Sequence, residues 1–528
     1  MALAASCVPE TFAPTLFGGL VLSLEASVVD LSTVANSAST QPSASSEDVS
    51  FCNVTVTYTH PGQNDSIIVE TWLPVDNWNE RFLAVGGGGW NAGRTAGTSA
   101  AMAAAIADGY ATVTTDAGLG SYSDPSPWVN PSPGNVNMQY LQNFATSSLN
   151  DEAIIGKSLV RSFYGSDPAY SYWSGCSTGG RQGLTIAQRY PDIYDGIVSG
   201  APVIYWTRMG MANTWPQQFM NMHGYYPYGC ELEAIAAAAV EVCDGLDGVV
   251  DGLISDPDAC LDSFNPQELV GTTISNCSQT GGEITISESA AKVASAFWDG
   301  PRTVKGDRVW YGPSIGAGLT LLAATNCSTG VCVATENLGW PLFRYFVAKD
   351  ASWVSNNLSH EAWADMGHSA FQQWQSIMDF DDPDISRLQR AGGKLLTYHG
   401  LADPMIPAKG TEHYYELVAR EFPDVHDFYR HFPVPGLGHC SGGAGGPPLG
   451  LLTQIRAWVE EGTAPDHAKM NFTHPDGTTQ TRILCPYPQK AFYNGRCGNA
   501  AKLDCWSCVN RNAPARTSSS TSRNQWSF

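Results

Sequence analysis

The segment that most restricts the fold of this chain is Gly-Cys-Ser-Thr-Gly at residues 175–179. The apolar run at 169–174 is typical of a strand, the pattern through 182–190 is typical of a helix, and the run at 196–201 is typical of a further strand. Strands that alternate with helices in this way are typical of parallel sheets. The sequence therefore predicts an α/β fold, with a mostly parallel twisted sheet and helices on both faces.

The same alternation continues on both sides of this segment, with one long interruption at 204–390. Outside the interruption we predict strands at 51–58, 66–72, 81–85, 110–115, 394–399 and 427–434, and helices at 99–108, 150–164, 410–422 and 449–461. The interruption is irregular and rich in cysteine and aromatic residues. We predict one main domain formed by 1–203 and 391–512, an inserted domain at 204–390 that is poor in regular structure, a surface loop at 32–50 and a disordered tail at 513–528.

Charge and hydropathy limit the partners of the chain. Its 528 residues include 28 Lys and Arg against 50 Asp and Glu, which gives a formal net charge of −22. Because a phosphate backbone would be repelled by such a surface, nucleic acid is not an expected partner. No segment is long and apolar enough to span a membrane, and we expect no organic cofactor.

The fourteen cysteines indicate disulfides rather than metal sites. Their number is even, and they do not form paired CxxC modules with zinc spacing, since the single CxxC at 505–508 lies in a Cys-rich tail. Disulfides form in oxidising compartments such as the secretory pathway, and six N-glycosylation sequons also indicate that pathway. They lie at Asn53, Asn64, Asn276, Asn326, Asn357 and Asn471. We therefore predict a secreted, extracellular glycoprotein.

The N-terminus does not resemble an export signal. The first basic residue of the chain is Arg81, whereas a signal peptide begins with a basic region. The apolar segment at 12–24 is short and is interrupted by proline and glycine. We interpret the chain as a mature form that follows an added Met1.

Ser177 is the candidate nucleophile. A tight turn between a strand and a helix exposes the serine hydroxyl at the helix N-terminus, where the helix dipole favours developing negative charge. The alternative is a Gly/Ser-rich turn without chemistry. A catalytic serine needs a histidine base and an acid that orients it. In the expected chain order these are Asp403, which follows the predicted strand at 394–399, and His439, which lies in a glycine-rich loop.

Each of these two residues has a simpler interpretation on its own. An Asp before a Pro often begins a turn, and a His in a glycine-rich loop is often only solvated. Cys176 and Cys440 support the catalytic interpretation, because they are adjacent to Ser177 and His439 and could form a disulfide if those two side chains meet. That bridge could also be only a structural link. For the oxyanion hole we predict the Thr178 amide with Gly87 and Gly88, although the glycine run could have a purely conformational role.

The Asp-rich segment at 244–253 is a candidate metal site. Three carboxylates at short spacing, separated by glycines, are suitable ligands for a hard cation such as Ca²⁺, although Asp-Gly pairs also form ordinary turns. The segment lacks the distal glutamate of an EF-hand. Eight of the sixteen tryptophans lie in the inserted domain. We expect most of them to be buried, and an aromatic roof over the site would favour a flat aromatic acyl group.

These motifs resemble the fungal tannase and feruloyl esterase family of secreted α/β-hydrolases, from about residue 51 to 508. The motifs are Gly-Gly-Gly-Gly-Trp at 86–90, Gly-Cys-Ser-Thr-Gly-Gly-Arg-Gln-Gly at 175–183, the segment at 244–253, His-Gly-Leu-Ala-Asp-Pro at 399–404 and Gly-His-Cys at 438–440. The resemblance implies an α/β-hydrolase fold with a large inserted lid at 204–390. It implies the triad Ser177, Asp403 and His439, and the disulfides Cys176–Cys440, Cys7–Cys52 and Cys243–Cys260. It also implies Ca²⁺ bound by Asp244, Asp247, Asp251 and the carbonyls of Val249 and Leu253.

The resemblance further implies a serine carboxylic ester hydrolase that releases phenolic acids. We expect a feruloyl esterase that acts on hydroxycinnamoyl esters of plant cell-wall polysaccharides, with a tannase acting on galloyl esters as the alternative. Some tannases of the family are cut at a dibasic site in the lid, and this chain has no adjacent Lys/Arg pair. A catalytically inactive binding module is the alternative from another functional class. The oligomeric state is open, with a homodimer as one option.

Overall fold

A nine-stranded mixed sheet lies at the centre of the structure. The structure is a computed structural model that describes residues 2–31, 49–122, 124–355 and 358–510. The strands of the sheet are β1 (Leu20–Leu31), β2 (Val49–Thr59), β3 (Ile67–Pro74), β4 (Arg81–Val85), β5 (Ala111–Thr115), β6 (Tyr170–Cys176), β7 (Gly196–Gly200), β8 (Lys394–Gly400) and β9 (Tyr429–Val434). Their order is β1-β2-β3-β5-β4-β6-β7-β8-β9, antiparallel from β1 to β5 and parallel from β5 to β9.

Helices cover both faces of this sheet. The helices of eleven or more residues are α1 (Ala96–Ala107), α2 (Ser148–Tyr164), α3 (Thr178–Arg189), α4 (Trp206–His223), α5 (Gly229–Cys243), α6 (Glu288–Asp299), α7 (His360–Met378), α8 (Ala408–Glu421) and α9 (Leu451–Glu461). One core contains buried residues of α2, α3 and α8, and a second contains those of α1 and α9. The two cores lie on opposite faces, because the side chains of a strand alternate between the faces of its sheet.

Shorter elements complete the described chain. Short α-helices are at Ala2–Ala5, Ser126–Val129, Met138–Gln142, Pro257–Ser263 and Ser386–Arg390. A three-stranded sheet comprises Gly445–Leu449, Ala468–Thr473 and Thr479–Leu484. Two-stranded sheets pair Thr273–Cys277 with Gly282–Thr285, Thr325–Asn326 with Val333–Ala334, and Lys490–Tyr493 with Trp506–Val509. No helix in the described ranges is long and apolar enough to cross a membrane.

The strand β1 is an element that the sequence did not reveal. It lies at the edge of the sheet, where it pairs with β2 from Leu20 opposite Thr59 to Leu31 opposite Val49. Many of its side chains are exposed, and its apolar and polar residues alternate strictly only from Leu22 to Val28. The predicted loop at 32–50 is too long at its end, because Val49 and Ser50 begin β2. Residues 32–48 of that loop and the predicted tail at 513–528 lie outside the described residues.

The expectation that the inserted domain is poor in regular structure is wrong. It contains α4, α5, α6 and α7, and seven of its eight tryptophans are buried. The helical pattern of α4 is obscured because Pro216 lies inside the helix and apolar residues occur on several sides of it. Packing within the domain stabilises α4 instead. For example, the Trp363 indole N–H of α7 donates a hydrogen bond to Thr214 Oγ1 of α4 at 3.0 Å.

All fourteen cysteines form disulfides. The pairs Cys7–Cys52, Cys243–Cys260 and Cys176–Cys440 are those that the resemblance implied. The remaining pairs are Cys230–Cys277, Cys327–Cys332, Cys485–Cys508 and Cys497–Cys505. The two cysteines of the CxxC sequence therefore bind different partners.

Candidate active site

Ser177 occupies a strained turn between the end of β6 and the start of α3. Its φ is +63°, in a region that residues other than glycine rarely adopt and that costs on the order of 1–3 kcal/mol. The neighbouring strand β7 helps to hold this conformation, because the Ser177 N–H donates to the Gly200 carbonyl at 2.9 Å. The turn therefore presents the hydroxyl group at the N-terminus of α3.

Glycines allow the loop after β4 to contact this turn. A Cβ on Gly86 would lie 2.7 Å from the Cα of Gly179, and a Cβ on Gly175 would lie 2.7 Å from the same atom. The Gly179 N–H donates to the Gly87 carbonyl at 2.9 Å. The glycine run at 86–89 and the Gly-Cys-Ser-Thr-Gly turn at 175–179 therefore contact each other through their main chains, which glycine allows.

Ser177, His439 and Asp403 form a continuous hydrogen-bonded chain. His439 Nε2 lies 2.9 Å from Ser177 Oγ, and His439 Nδ1 lies 2.7 Å from Asp403 Oδ2. Because a carboxylate only accepts, Nδ1 carries the proton and Nε2 is free to accept the serine proton. The three residues are far apart in the sequence, and the fold brings them together in the geometry that activates a serine.

The carboxylate of Asp403 is buried and receives four donors. Its Oδ1 accepts the N–H groups of Met405 at 2.8 Å and Ile406 at 3.0 Å, and its Oδ2 also lies 3.2 Å from Nε2 of His399. Burial alone would raise the pKa of Asp403. The charges and hydrogen bonds of His439 and His399 outweigh this effect, so the pKa of Asp403 lies well below its ordinary value.

His399 is a site residue that the sequence analysis did not assign. Its Nε2 faces the Asp403 carboxylate and the Ile406 carbonyl, two acceptors, and must therefore carry the proton. Its Nδ1 lies 2.7 Å from the Thr411 hydroxyl, which can donate to it. The sequence signal that could have identified His399 is its position four residues before Asp403, at the end of the same predicted strand.

The disulfide Cys176–Cys440 lies beside the reacting groups. Its cysteines are adjacent to Ser177 and His439, their Cα atoms are 6.0 Å apart, and 264 positions separate them in the sequence. The bridge therefore joins the β6 turn to the loop that carries the histidine.

The structure corrects one part of the predicted oxyanion hole. The Gly87 N–H already donates to Gln182 Oε1 at 2.9 Å, so it is not available to an oxyanion. Gly87 does not line the pocket beside Ser177, whereas Thr178 and Gly89 do. The Thr178 hydroxyl donates a hydrogen bond of 2.6 Å to the Gly89 carbonyl. The roles of the Thr178 amide and of Gly88 stay predictions.

A largely apolar pocket opens next to Ser177. It is lined by Gly89, Trp90, Asp124, Phe144, Ser177, Thr178, Arg181, Val203, Trp206, Met209, Gly210, Asn213, Leu338, Gly339, Pro341, Leu342, Met405 and Ile406. Trp90 contacts the rings of Phe144, Trp206 and Phe346. Trp206 is the one tryptophan of the inserted domain in this lining, so the expected aromatic roof is narrower than the composition suggested.

The Asp-rich segment is arranged differently from the triad. Asp244 accepts the main-chain N–H groups of Asp251, Gly252 and Leu253. Asp247 Oδ2 and Asp251 Oδ2 each accept from the buried guanidinium of Arg482, at 2.8 and 2.7 Å. In the described parts of the chain, no group of three or more His, Cys, Asp or Glu side chains is arranged to hold a metal ion.

The predicted glycosylation sites differ in accessibility. Asn64, Asn276, Asn326 and Asn471 are exposed, whereas Asn53 is half-buried in β2. Asn357 lies outside the described residues. The exposed sites are compatible with glycan attachment.

Comparison with known proteins identifies the family. The family model described as tannase and feruloyl esterase matches residues 52–509. The chain belongs to the tannase and feruloyl esterase family. A probable feruloyl esterase from Arthroderma benhamiae is 39% identical over 486 residues, which cover 89% of this chain and 87% of that protein. Members of the family are carboxylic ester hydrolases, and this chain is one of them.

Solved structures of the family share the fold of the chain. The tannin acyl hydrolase from Aspergillus niger matches with a TM-score of 0.85 and 28% identity, over 96% of this chain and 94% of that one. Feruloyl esterase B from Aspergillus oryzae matches with a TM-score of 0.78 and 25% identity, over 96% of this chain and 100% of that one. The predicted α/β-hydrolase fold is therefore confirmed.

Proposed function

We propose that this family member is a feruloyl esterase that hydrolyses hydroxycinnamoyl esters of plant cell-wall polysaccharides. The observation that carries the proposal is the hydrogen-bonded chain Ser177–His439–Asp403 at the edge of a pocket with apolar and aromatic walls. The 39% identity to a probable feruloyl esterase supports the choice of acyl group. The apolar walls suit a planar aromatic acid better than a charged or extended polar one.

The geometry gives each residue a role in ester cleavage. His439 Nε2 takes the Ser177 proton while Oγ attacks the ester carbonyl, and the same nitrogen then protonates the departing alcohol. Asp403 holds the imidazole in one tautomer and stabilises its cation. Backbone N–H groups near the N-terminus of α3, with Thr178 as the first candidate, stabilise the oxyanion. Water, activated by His439, then releases the aromatic acid from Ser177.

The test measures acid release from methyl ferulate, methyl caffeate and methyl gallate, with Ser177→Ala as the control. We expect the wild type to prefer methyl ferulate or methyl caffeate, and the variant to lose at least about 10⁴-fold in kcat with an unchanged circular dichroism spectrum. A preference for methyl gallate would make the protein a tannase. No release of any acid by the wild type would instead support the inactive binding module.

We also propose that the segment at 244–253 binds Ca²⁺ as a structural ion. The ligands would be the carboxylates of Asp244, Asp247 and Asp251 and the carbonyls of Val249 and Leu253, all of them oxygen donors. Two observations support this fit. Asp251 Oδ1 is buried and has no hydrogen-bond partner in the described structure, and three carboxylates with one guanidinium leave a formal charge of −2.

Melting temperatures with EDTA and with added Ca²⁺ test this proposal. Because an ion that binds only the folded state stabilises it by mass action, we expect Ca²⁺ to raise the melting temperature and Mg²⁺ to raise it less. The Asp251→Asn variant should lose most of this response. Equal melting temperatures of the wild type in EDTA and in Ca²⁺ would contradict the proposal.

The cysteine chemistry supports extracellular function. Seven disulfides and no free thiol are typical of a protein that matures in an oxidising compartment, and we infer that the protein is secreted and glycosylated. Enzymatic removal of N-linked glycans from secreted protein should lower its mass. An unchanged mass would contradict glycosylation.

A further inference from the structure

The active-site pocket contains one buried polar atom that the proposed mechanism does not use. Asn213 is 3% exposed and lines the same pocket as Ser177. Its Oδ1 is buried and has no hydrogen-bond partner among the described residues. Burying an amide oxygen without a partner is unfavourable, because the oxygen loses its hydrogen bonds to water. A ligand that donates a hydrogen bond to this oxygen would therefore restore the lost interaction.

Asn213 lies two helical turns from the catalytic end of the pocket. The pocket-lining residues Trp206, Met209, Gly210 and Asn213 follow the helical spacing of one face of α4. At 1.5 Å per residue, Asn213 is about 10 Å along the helix axis from Trp206. Trp206 contacts Trp90, which follows the Gly89 carbonyl bonded to Thr178. An aromatic acyl group on Ser177 would therefore extend from the catalytic end toward Asn213.

The surrounding residues fix the position of Asn213. The side-chain amide of Asn337 donates to the main-chain carbonyl of Asn213 at 2.7 Å and to that of Leu322 at 2.9 Å. Gly339 packs directly on Asn213, since a Cβ there would lie 2.8 Å from the Asn213 Cβ. The main chain and the Cβ of Asn213 are therefore held in place before a ligand binds. An acceptor at such a fixed position lets an enzyme discriminate a hydroxylated substrate from one that lacks the hydroxyl group.

We propose that Asn213 Oδ1 accepts a hydrogen bond from a ring hydroxyl group of the phenolic acyl substrate. This inference rests on the proposed phenolic esterase function and adds the residue that selects for the hydroxyl group. The neighbouring lining supplied by Leu338, Pro341 and Leu342 is apolar. A substrate without a ring hydroxyl group leaves the amide oxygen unpaired, as it is in the free protein.

The experiment compares methyl p-coumarate, methyl cinnamate and methyl 4-methoxycinnamate as substrates. The last two cannot donate a hydrogen bond from the ring. We expect the wild type to prefer methyl p-coumarate by about tenfold in kcat/KM, the size expected for one hydrogen bond. Asn213→Leu, which removes the acceptor at similar volume, should reduce kcat/KM for methyl p-coumarate about tenfold and change it less than about twofold for the other two esters.

A matched control is Gln218→Leu. Gln218 is a buried amide on the same helix, but it does not line the pocket, and its side chain donates to the Leu358 carbonyl at 2.9 Å. This variant should change kcat/KM for all three esters by the same factor.

Several outcomes would overturn the inference. One is that Asn213→Leu changes kcat/KM by the same factor for all three esters, or for none of them. Another is that the wild type shows no preference for methyl p-coumarate. The wild-type comparison needs no variant, so a folding defect does not prevent the test. A wild type that hydrolyses none of these esters would reject the proposed function itself, and the inference with it.

Discussion

The triad and the Asp-rich segment both contain buried aspartates, and the surroundings of these carboxylates differ. Asp403 faces two histidines and two main-chain N–H groups, so the side chains of the triad satisfy one another. Asp244, Asp247 and Asp251 are like charges, and a cation from outside the segment is needed to bring two of them together. The carboxylate of Asp403 is therefore satisfied by the hydrogen-bond donors around it, whereas the carboxylates of the Asp-rich segment need a cation, here Arg482, from another part of the chain.

The pKa values reflect the same difference. The pKa of Asp403 lies well below its ordinary value despite burial, because His439 and His399 favour its charged form. Burial raises the pKa of Asp251 to about 6, since the charges of Asp247 and Asp244 add to the effect of burial and Arg482 offsets only part of it. The two histidines therefore outweigh the burial of Asp403, whereas one guanidinium does not outweigh the burial of Asp251 beside two further carboxylates.

Asp403→Asn should have the largest effect on the triad. The amide would leave the imidazole of His439 without its acceptor or in the wrong tautomer, and we expect kcat to fall about 10⁴-fold. The circular dichroism spectrum should stay close to that of the wild type, whereas the melting temperature should fall, because an amide cannot accept all four donors that the buried carboxylate accepts. A variant that retains more than a few per cent of kcat would show that another acid orients His439.

Replacing Cys176 and Cys440 together with Ala should have the next largest effect. Loss of a bridge across 264 positions costs up to about 5 kcal/mol in the chain-entropy model, and kcat should fall because the His439 loop is no longer linked to Ser177. Denaturant unfolding and ester hydrolysis measure the two effects. The control is Cys327→Ala with Cys332→Ala, a bridge across only 5 positions, which should cost about 2 kcal/mol and leave kcat unchanged.

Arg482→Met tests the counter-ion of the Asp-rich segment. In EDTA the variant leaves the buried Asp251 and the half-buried Asp247 without their cation, and we expect a loss of about 3 kcal/mol in the free energy of unfolding. Added Ca²⁺ should restore more stability in the variant than it adds to the wild type, because the segment is then more negative.

The control for that comparison is Arg81→Met, which removes one partner of Glu460 and leaves its contacts with Arg456 and Tyr172. It should lower stability by an amount that Ca²⁺ does not change. If the Arg482 and Arg81 variants respond equally to Ca²⁺, the segment does not use Arg482 as a substitute for a metal ion.

His399→Phe should have the smallest effect, because His399 acts through Asp403 and not on the substrate. We expect kcat to fall about tenfold while KM stays constant, which corresponds to about 1.4 kcal/mol. His399→Gln keeps a donor near Asp403 and should recover most of kcat. An unchanged kcat in His399→Phe would mean that the ring only fills space.

The sequence predicted the parts of the structure that depend on local patterns. Neighbouring residues are sufficient to recognise the alternation of strands and helices and the Gly-Cys-Ser-Thr-Gly turn. The triad residues are recognised from their order along the chain. The order was sufficient because the strands β6 and β8 both end at the same edge of a parallel sheet. For the same reason the bridge between Cys176 and Cys440 could be predicted before the structure.

The remainder depends on contacts between distant residues. Arg482 is 235 positions from Asp247, and no local pattern connects them. Gln182 takes the Gly87 amide across 95 positions, which excluded one predicted oxyanion donor. The helix α4 was missed because its apolar residues pack against both the inserted domain and the main domain, so no single amphipathic face is visible in its sequence.

The Cys176–Cys440 disulfide has a consequence for the response of the protein to proteases. The whole inserted domain lies between the two bridged cysteines in the chain, so a single cut in one of its exposed loops would produce two fragments that stay covalently joined beside the reacting groups. The nicked molecule would keep Ser177 and His439 together, and it would separate into fragments only after reduction.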